Sequence, residues 1–248
     1  MGLTKEQIAK YNSDGYLVVK SVFTLEESRE LKAELLAEIE AGKAQLNEER
    51  ARGAPTEMRR EKIGDVPRAI EKGMLQDVAH RNPKFMKLAK NSKLTGLVTP
   101  FLGNSLSMYR SLSVFRPKGF EGEVGWHQDM PYWTGTNKKI SLWLSLDKVD
   151  AATGAMKMIP GSHHQVIQDL EKQNEVFSLT IPGQYIDSSM AVSAETEIGD
   201  VVLFDSQVIH SSGPNETGRD RYTLIFTFQP SSDYSHHREG RPEIVAEL

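Results

Sequence analysis

The sequence predicts a mainly β fold with flanking helices, built on a double-stranded β-helix, that is, a cupin-like jelly roll. After about residue 105, short and often alternating apolar segments are separated by Gly, Pro, Asn and Asp, which is typical of strands joined by turns. Before that point, apolar residues recur at helical spacing. About eight strands after a helical third predict two packed sheets supported by helices.

Two capping boxes mark helix starts in the first third of the chain. In each, a threonine is followed three residues later by a Gln or Glu that can reach back to the cap: Thr4 with Gln7, and Thr24 with Glu27. The second box opens a helix with apolar residues as far as Ala41, and Gly42 is its predicted end. A short strand, GYLVVKSVF, lies between the two helices, and residues 83–103 are again predicted to be helical.

The later segments have the composition of strands. They are SMYRSLSVFRP, EVGWHQD, KKISLWLSLD, GAMKMIP, EVFSLTIPG, AVSAET, GDVVLFDS and RYTLIFTFQP. We expect one domain over residues 1–248, with a helical third to about 104, a β core over about 105–230 and a polar tail over 231–248. The charged stretch 43–72 is interpreted as a solvated helix extension and loop, with a lid as the alternative. The tail is expected to be mobile or to form a flap.

Composition excludes several functional classes. The net charge is −4 and the pI about 6.0, so no field of one sign points to nucleic acid or an anionic membrane. The absence of cysteine excludes disulfides, thiolate metal sites and a cysteine nucleophile. No apolar run reaches the roughly 20 residues that span a bilayer, and the N-terminus lacks the apolar stretch of a secretory signal. We expect a cytoplasmic protein that acts on a small molecule, with its oligomeric state left open.

His127 and Asp129 are the first candidate metal ligands. They stand two apart in EVGWHQD, a predicted strand, where residues at i and i+2 share one face and Gln128 points away. Two His and one carboxylate form the facial triad of non-haem iron(II) sites, which leaves positions open for other ligands. The spacing alone is weak evidence, since 7 His and 34 acidic residues in 248 produce about one such match by chance. His237-Arg238-Glu239 is such a match, in the polar tail.

His210 is the predicted third ligand. It ends the strand-like stretch GDVVLFDSQVIH and is followed by the turn SSGPN. Strands that are distant in sequence lie side by side in a jelly roll, so His210 can complete a site with the first two ligands. Taken alone, either histidine would more often be an ordinary structural residue.

Arg221 is the candidate anion anchor. It opens RYTLIFTF, and an inward arginine at a strand start is costly to bury without an anionic partner. A dicarboxylate that chelates iron at one end supplies such a partner, and a guanidinium can hold its far carboxylate with two hydrogen bonds. Thr223 and Ser212 could each donate a hydroxyl to that carboxylate. A surface ion pair is the alternative for Arg221, but we favour Arg221 over Arg219 because Arg219 belongs to the turn.

Four segments in order carry a resemblance to a known family. They are WHQD, GAMKMIPGSHH, GDVVLFDSQVIHSSGPN and RDRYTL, preceded by the opening YNSDGYLVVKSVFTLEE. Together, from about residue 6 to about 230, they resemble the phytanoyl-CoA dioxygenase-like family of iron(II)/2-oxoglutarate oxygenases. The resemblance implies Fe(II) bound by His127, Asp129 and His210, and 2-oxoglutarate held by Arg221. It also places Trp143 in the co-substrate pocket, whereas the Pro160–His163 turn is interpreted as structural.

The resemblance also implies a reaction. 2-Oxoglutarate and dioxygen are consumed, succinate and carbon dioxide are released, and the substrate is hydroxylated, with desaturation, cyclisation or epimerisation as further outcomes of the same chemistry. Halogenating relatives replace the carboxylate with a small residue, so the presence of Asp129 argues against halogenation.

The substrate is predicted less directly. Met130, Tyr132 and Trp133 follow the metal motif and could line its mouth, although aromatics after a strand are often only core. Arg110 shares one face of a predicted strand with Met108, Leu112 and Val114. If that face lines the barrel, Arg110 could meet an anionic group; the alternative is an exposed arginine. Basic residues are scattered (Arg116, Lys118, Lys138 and Lys139), which favours a small metabolite or natural-product intermediate over an acyl-CoA.

Three alternatives stay open from the residues alone. The chain could be a non-haem metal oxygenase that does not use 2-oxoglutarate, and the role of Arg221 discriminates between the two. It could be a binding module that has lost its chemistry. A hydrolase with Ser206 or Ser211 as nucleophile is disfavoured, because no G-x-S-x-G elbow is present.

Overall fold

The computed structural model describes residues 2–51, 70, 73–133, 139–171, 180–233 and 243–246. These residues form two antiparallel sheets with apolar side chains between them, and helices cover the outer face of the larger sheet. This arrangement is the predicted jelly roll with flanking helices.

The larger sheet contains strands from both ends of the chain. Its strands are β1 (Tyr16–Val19), β2 (Met74–Gln76), β3 (Leu106–Arg116), β5 (Ile140–Ser145), β8 (Val201–Asp205), β10 (Arg221–Pro230) and β11 (Glu243–Ala246). Their order is β1-β8-β5-β10-β3-β11, and β2 also pairs with β3. The first and last strands of the described residues thus belong to one sheet.

The smaller sheet carries both candidate ligand histidines, His127 and His210. Its strands are β4 (Val124–His127), β6 (Met156–Met158), β7 (Val192–Ser193) and β9 (His210–Ser212), in the order β4-β9-β6-β7. Alternation along each strand sends one set of side chains toward the opposite sheet. Trp143, Phe204 and Ile225 of the larger sheet meet Met156 and Met158 of the smaller one.

Five helices lie within the described part of the chain: α1 (Lys5–Asp14), α2 (Leu25–Ala51), α3 (Val78–Arg81), α4 (Pro83–Ala89) and α5 (Ser92–Leu102). Their buried side chains, such as Leu35, Phe85 and Leu97, form one core with Leu142 and Phe226 of the larger sheet. Both predicted capping boxes are present, with reciprocal bonds between Thr4 and Gln7 and between Thr24 and Glu27. No helix among the described residues is both long and apolar enough to cross a membrane.

One helix boundary differs from the prediction. Helix α2 continues past Gly42 to Ala51, because Leu35 and Ile39 anchor it to the core and a glycine in a helix costs only about 1 kcal/mol. The stretch 83–103 is helical, as predicted, and consists of two helices. Asn91 separates them, since its side chain accepts a hydrogen bond from the Lys93 amide (2.8 Å) and starts α5.

The polar tail is partly structured. Strand β11 extends the larger sheet by pairing with β3, and buried Asp233 forms an ion pair with Lys139 (3.0 Å). The prediction of a mobile tail was therefore wrong for residues 231–233 and 243–246. The remaining tail residues, and most of the suggested lid (52–69 and 71–72), lie outside the described residues, as do residues 175–179 of the predicted strand EVFSLTIPG.

Candidate metal centre

His127 and His210 are brought together by strand pairing in the smaller sheet. His127 ends β4, His210 begins β9, and the two residues are direct cross-strand partners with ring centroids 4.1 Å apart. His210 therefore starts a strand rather than ending one, because a turn at Ser206–Gln207 separates β8 from β9. Both imidazoles are buried. The jelly-roll topology thus joins two histidines that are remote in sequence.

The two imidazoles are oriented in the same way. Nδ1 of His127 lies 2.9 Å from the Gly125 carbonyl, and Nδ1 of His210 lies 3.0 Å from the Val208 carbonyl. A carbonyl only accepts, so each Nδ1 must carry the proton that it donates. In a neutral imidazole held in this way, Nε2 is the nitrogen left without a proton. Such an outer hydrogen bond is the usual device that fixes the tautomer of a metal-binding histidine.

Asp129 joins the two histidines from outside the strand. Strand β4 ends at His127, and Asp129 has helical backbone angles (φ −72°, ψ −35°) at the start of a short 3-10 turn. The argument from a shared strand face was therefore wrong in its geometry. The carboxylate still reaches the site, with Oδ1 3.9 Å from Nε2 of His127. One ligand atom from each of His127, Asp129 and His210 lies within 4.8 Å of the others.

Burial has opposite consequences for metal binding at His127 and at Asp129. Desolvation, with the neighbouring His210 as a smaller cause, lowers the pKa of His127 to about 3, which keeps that imidazole neutral. Desolvation raises the pKa of the Asp129 carboxyl, while His210 and Arg110 oppose that rise. A cation among the three would favour the ionised carboxylate.

Gln128 points away from this cluster, as predicted. Its side-chain amide donates to the carbonyls of Gln165 and Gln207, and its oxygen accepts from the Ile167 amide (2.9 Å). The Pro160–His163 turn also has a structural role, as predicted. Ser162 Oγ accepts from the Ile209 amide (2.8 Å), one residue before His210, so this turn supports the strand that carries the ligand.

A cavity of about 420 Å³ between the sheets opens onto the three candidate ligand residues. Its walls are mainly apolar, with Leu112, Trp143, Phe204 and Ile225 contributed by the larger sheet. Cavities of this size and character take small molecules.

Arg221 is the most deeply buried cation near this cavity. Its exposed fraction is 0%, and its guanidinium lies 5.2 Å from the centre of the Trp143 ring. Nη1 donates to the Gly154 carbonyl (3.0 Å), whereas Nε and Nη2 have no hydrogen-bond partner. Burial, with the nearby Arg116 as a second cause, lowers the pKa of Arg221 to about 9, so the group is still charged at neutral pH. Arg219, in contrast, is exposed and pairs with Asp150 (2.8 Å).

The other predicted co-substrate residues differ in their placement. Ser212 and Trp143 line the cavity. Thr223 is buried on the same face of β10 as Arg221, but its hydroxyl already donates to the Val114 carbonyl (2.6 Å). Its hydroxyl proton is therefore in use within the sheet, whereas Ser212 remains accessible from the cavity.

The predicted substrate residues divide in a similar way. Arg110 and Trp133 line the cavity, whereas Met130 and Tyr132 do not, and Tyr132 is 36% exposed. The strand alternation predicted for β3 holds for Arg110, Leu112 and Val114. It fails for Met108, which packs in the helix-side core, because a bulge between β3 and β10 at Tyr109 shifts the phase.

The burial of Arg116 and of Lys139 was not predicted from the sequence, in which both counted as scattered basic residues. Arg116 is 3% exposed and lines the cavity, and Lys139 is 1% exposed in its pair with Asp233. Arg116 is in phase with Arg110, Leu112 and Val114 along β3. That alternation was the signal from which its inward direction could have been inferred.

The phytanoyl-CoA dioxygenase (PhyH) family matches residues 11–223, which is most of the chain. The chain belongs to the PhyH family. Among its relatives is a phytanoyl-CoA dioxygenase domain-containing protein 1 homolog from Dictyostelium discoideum, 26% identical over 262 residues, with 91% of this chain and 92% of the relative covered. An ectoine dioxygenase from Bordetella parapertussis is 27% identical over 267 residues, which cover 98% of this chain and 82% of the relative.

Solved structures of similar fold include two non-haem enzymes. The non-heme monooxygenase ThoJ, in its apo form, has a TM-score of 0.76 at 17% identity and covers 97% of this chain and 83% of its own. The epimerase SnoN, in complex with Fe3+, alpha ketoglutarate and nogalamycin RO, has a TM-score of 0.67 at 18% identity and covers 94% and 85%. These likenesses confirm the predicted jelly-roll fold.

The residues present fit the groups that the PhyH family uses. Two imidazoles and a carboxylate are a donor set for iron(II), and the unpartnered Nε and Nη2 of buried Arg221 suit an anionic co-substrate. The chain is therefore an iron- and 2-oxoglutarate-dependent oxygenase of the PhyH type.

Proposed function

We propose that this PhyH protein binds Fe(II) through His127, Asp129 and His210, and that it hydroxylates a small metabolite or natural-product intermediate in the adjoining cavity. The observation that carries the proposal is the convergence of the three ligand atoms, all within 4.8 Å of one another, on the wall of a largely apolar cavity. Iron, 2-oxoglutarate and dioxygen, when bound, would supply the oxidant that hydroxylates the substrate, with release of succinate and carbon dioxide.

The protein's own contribution is orientation and exclusion of water. The Gly125 and Val208 carbonyls hold the two imidazoles through Nδ1, which leaves Nε2 of each ring for a metal ion. Apolar side chains such as Leu112, Phe204 and Ile225 keep the site dry, which strengthens every electrostatic contact inside it.

Arg221 is proposed to hold the far carboxylate of 2-oxoglutarate. A guanidinium with two unpartnered nitrogens, buried over the Trp143 ring, is costly unless an anion joins it. The Ser212 hydroxyl lies on β9 two residues from His210, on the same face of that strand, and is proposed to donate to the same carboxylate.

The size of the cavity supports a small substrate. Its volume of about 420 Å³ must hold part of the co-substrate as well, which leaves room for a compact molecule. Trp133 and Arg110 lie at the metal side, where they could contact an apolar body and an anionic group respectively. Two of the four basic residues that might have recognised a large acyl-CoA at the surface, Arg116 and Lys139, are buried.

Hydroxylation is the proposed outcome, and epimerisation or ring closure is the alternative. The similarity in fold to an epimerase supports keeping that alternative. Incubation with candidate substrates under ¹⁸O₂ distinguishes them, since hydroxylation inserts one labelled oxygen whereas epimerisation or cyclisation inserts none.

The decisive experiment is an anaerobic titration of 2-oxoglutarate into the folded protein that has been loaded with iron(II). We expect a visible charge-transfer band whose intensity saturates when each bound iron has taken up one 2-oxoglutarate. The same titration with H210A should give no band. A folded wild-type protein that shows no band at saturating iron and 2-oxoglutarate would refute the proposed function.

A further inference from the structure

Arg116 and Arg221 are direct cross-strand partners in the larger sheet. The last residue of β3 stands opposite the first residue of β10, and both residues are in phase with Leu112 and Ile225, which line the cavity. Arg116 is 3% exposed and Arg221 is 0% exposed. Two guanidinium groups are therefore buried next to each other on the cavity side of one sheet.

No carboxylate among the described residues lies within ion-pair distance of either guanidinium. The nearby Asp147 is engaged elsewhere, with Lys32 (2.6 Å) and the Tyr222 amide (3.0 Å). Like charges placed directly opposite each other destabilise a sheet, and burial increases that cost.

The hydrogen bonds of Arg116 are long. Nη1 lies 3.4 Å from the Phe115 carbonyl, Nη2 lies 3.5 Å from Ser212 Oγ, and Nε has no partner. Together with Nε and Nη2 of Arg221, this leaves a set of under-used donors on the two paired arginines. Burial lowers the pKa of Arg116 to about 10, so this group also stays charged at neutral pH.

The surroundings point to a bound carboxylate rather than to water. The Phe120 ring covers the Arg116 guanidinium at 4.7 Å, and the Trp143 ring covers that of Arg221 at 5.2 Å. Two planar cations between aromatic faces, with a hydroxyl beside them, match the planar acceptor geometry of a carboxylate.

We propose that Arg116 is a second anchor for the far carboxylate of 2-oxoglutarate, which thus lies between two guanidinium groups and the Ser212 hydroxyl. The inference rests on the proposed function, because it places a further residue at the same co-substrate. Arg116 contacts Ser212, which shares β9 with the ligand His210, and this favours the co-substrate over a group on the substrate. Arg110, on the same strand, lies at the metal side instead.

The test compares 2-oxoglutarate with pyruvate, a shorter keto acid that chelates iron in the same way but lacks the far carboxylate. Dissociation constants for 2-oxoglutarate and for pyruvate are measured from the anaerobic charge-transfer band of the iron-loaded protein, for wild type, R116Q, R116K and R221Q. R219Q is the matched control, because Arg219 is exposed and ion-paired outside the cavity. Thermal unfolding without iron or keto acid shows whether each variant folds.

We expect R116Q to raise the Kd for 2-oxoglutarate by about tenfold to a hundredfold, and the Kd for pyruvate by less than about twofold. R116K, which keeps the charge but loses the planar fork, should lie between wild type and R116Q. In the absence of ligand, R116Q should unfold at or above the wild-type temperature, because it removes one of two opposed buried cations. A purely structural arginine would lower that temperature and leave the two keto acids equally affected.

The possible failures can be told apart. If R221Q weakens 2-oxoglutarate binding and R116Q leaves it within twofold of wild type, the proposal for Arg116 is overturned while the proposed function stands. If R116Q instead raises only the KM of the substrate, the anion belongs to the substrate and the proposal is also overturned. If wild type shows no band with iron and 2-oxoglutarate, both proposals fail together.

Discussion

His127 and His210 are cross-strand partners whose ring centroids lie 4.1 Å apart, and each directs Nδ1 at the carbonyl two residues before it. The same local device thus fixes both imidazoles at the point where β4 and β9 meet. This relationship explains how two unremarkable histidines become a pair of matched nitrogen donors, and the first of the following predictions depends on it.

Replacing any one of the proposed ligands should abolish iron binding at micromolar concentrations. H127A, D129A and H210A each leave two protein donors, which is too few for a stable site of this type. Iron content after desalting is the measurement. H80A, at an exposed position, is the control and should keep its iron. Retention of stoichiometric iron by H210A would contradict the assignment.

R221Q is expected to weaken 2-oxoglutarate binding by about tenfold to a hundredfold, because it removes charge-assisted hydrogen bonds to the far carboxylate. Iron binding without the co-substrate should be unchanged. Calorimetric titration of 2-oxoglutarate into the iron-loaded protein measures the effect. An unchanged Kd would favour an oxygenase that does not rely on this residue for its co-substrate.

Gly154 should not tolerate alanine. Its φ is +79°, and an added Cβ would lie 2.5 Å from the Gly213 carbonyl oxygen and 2.7 Å from that of Pro214. We expect G154A to lower the free energy of unfolding by roughly 2–4 kcal/mol. Because the Gly154 carbonyl also accepts from Arg221, the affinity for 2-oxoglutarate should fall as well.

Denaturant unfolding and co-substrate titration of G154A provide the two measurements. G183A is a suitable control, since no atom lies within 4 Å of the Cβ that it would add. Equal stability of G154A and wild type would show that the segment before β6 can move without cost.

The buried pair of Lys139 and Asp233 should be strongly coupled. Their side chains are 1% and 5% exposed, and the ion pair is 3.0 Å long. K139M or D233L alone should cost about 3–5 kcal/mol, because each leaves one buried charge unpaired. The double variant K139M/D233L should recover a large part of that loss. Urea unfolding of the four proteins measures the coupling, and additive losses would contradict it.

Asp205 should make the stability depend on pH. Its burial raises the pKa of the carboxyl to about 6, although it accepts hydrogen bonds from the Gln207 amide and the Tyr11 hydroxyl. A carboxyl whose pKa is raised by folding favours the folded state when protonated. Its contribution is complete below the ordinary value of 3.8 and is lost as the pH rises through 6.

D205N cannot ionise, so its stability relative to wild type should rise by roughly 1–2 kcal/mol between pH 4 and pH 7, after allowance for partial exposure. Urea unfolding at several pH values measures the difference. E216Q, at an exposed carboxylate, is the control and should show no such trend. A difference between D205N and wild type that does not vary with pH would contradict the prediction.

The features that the sequence predicted correctly depend on residues close together in the chain. The capping boxes at Thr4 and Thr24 depend on residues three apart, and the strand segments depend on alternation over a few positions. The chemical identity of the site is also local, because imidazole and carboxylate donors define the metals that they prefer wherever they meet. The sequence alone therefore determined the fold class, the three candidate ligands and the candidate anchor Arg221.

Long-range pairing decided the rest. Arg116 faces Arg221 only because β3 and β10 align in one register, and β11 joins the sheet only because β3 offers it a free edge. The bulge at Tyr109 and the departure of Asp129 from its strand are likewise responses to partners far along the chain. The burial and the charge environment of a side chain depend on residues that are distant in sequence. They are therefore set only when the chain folds.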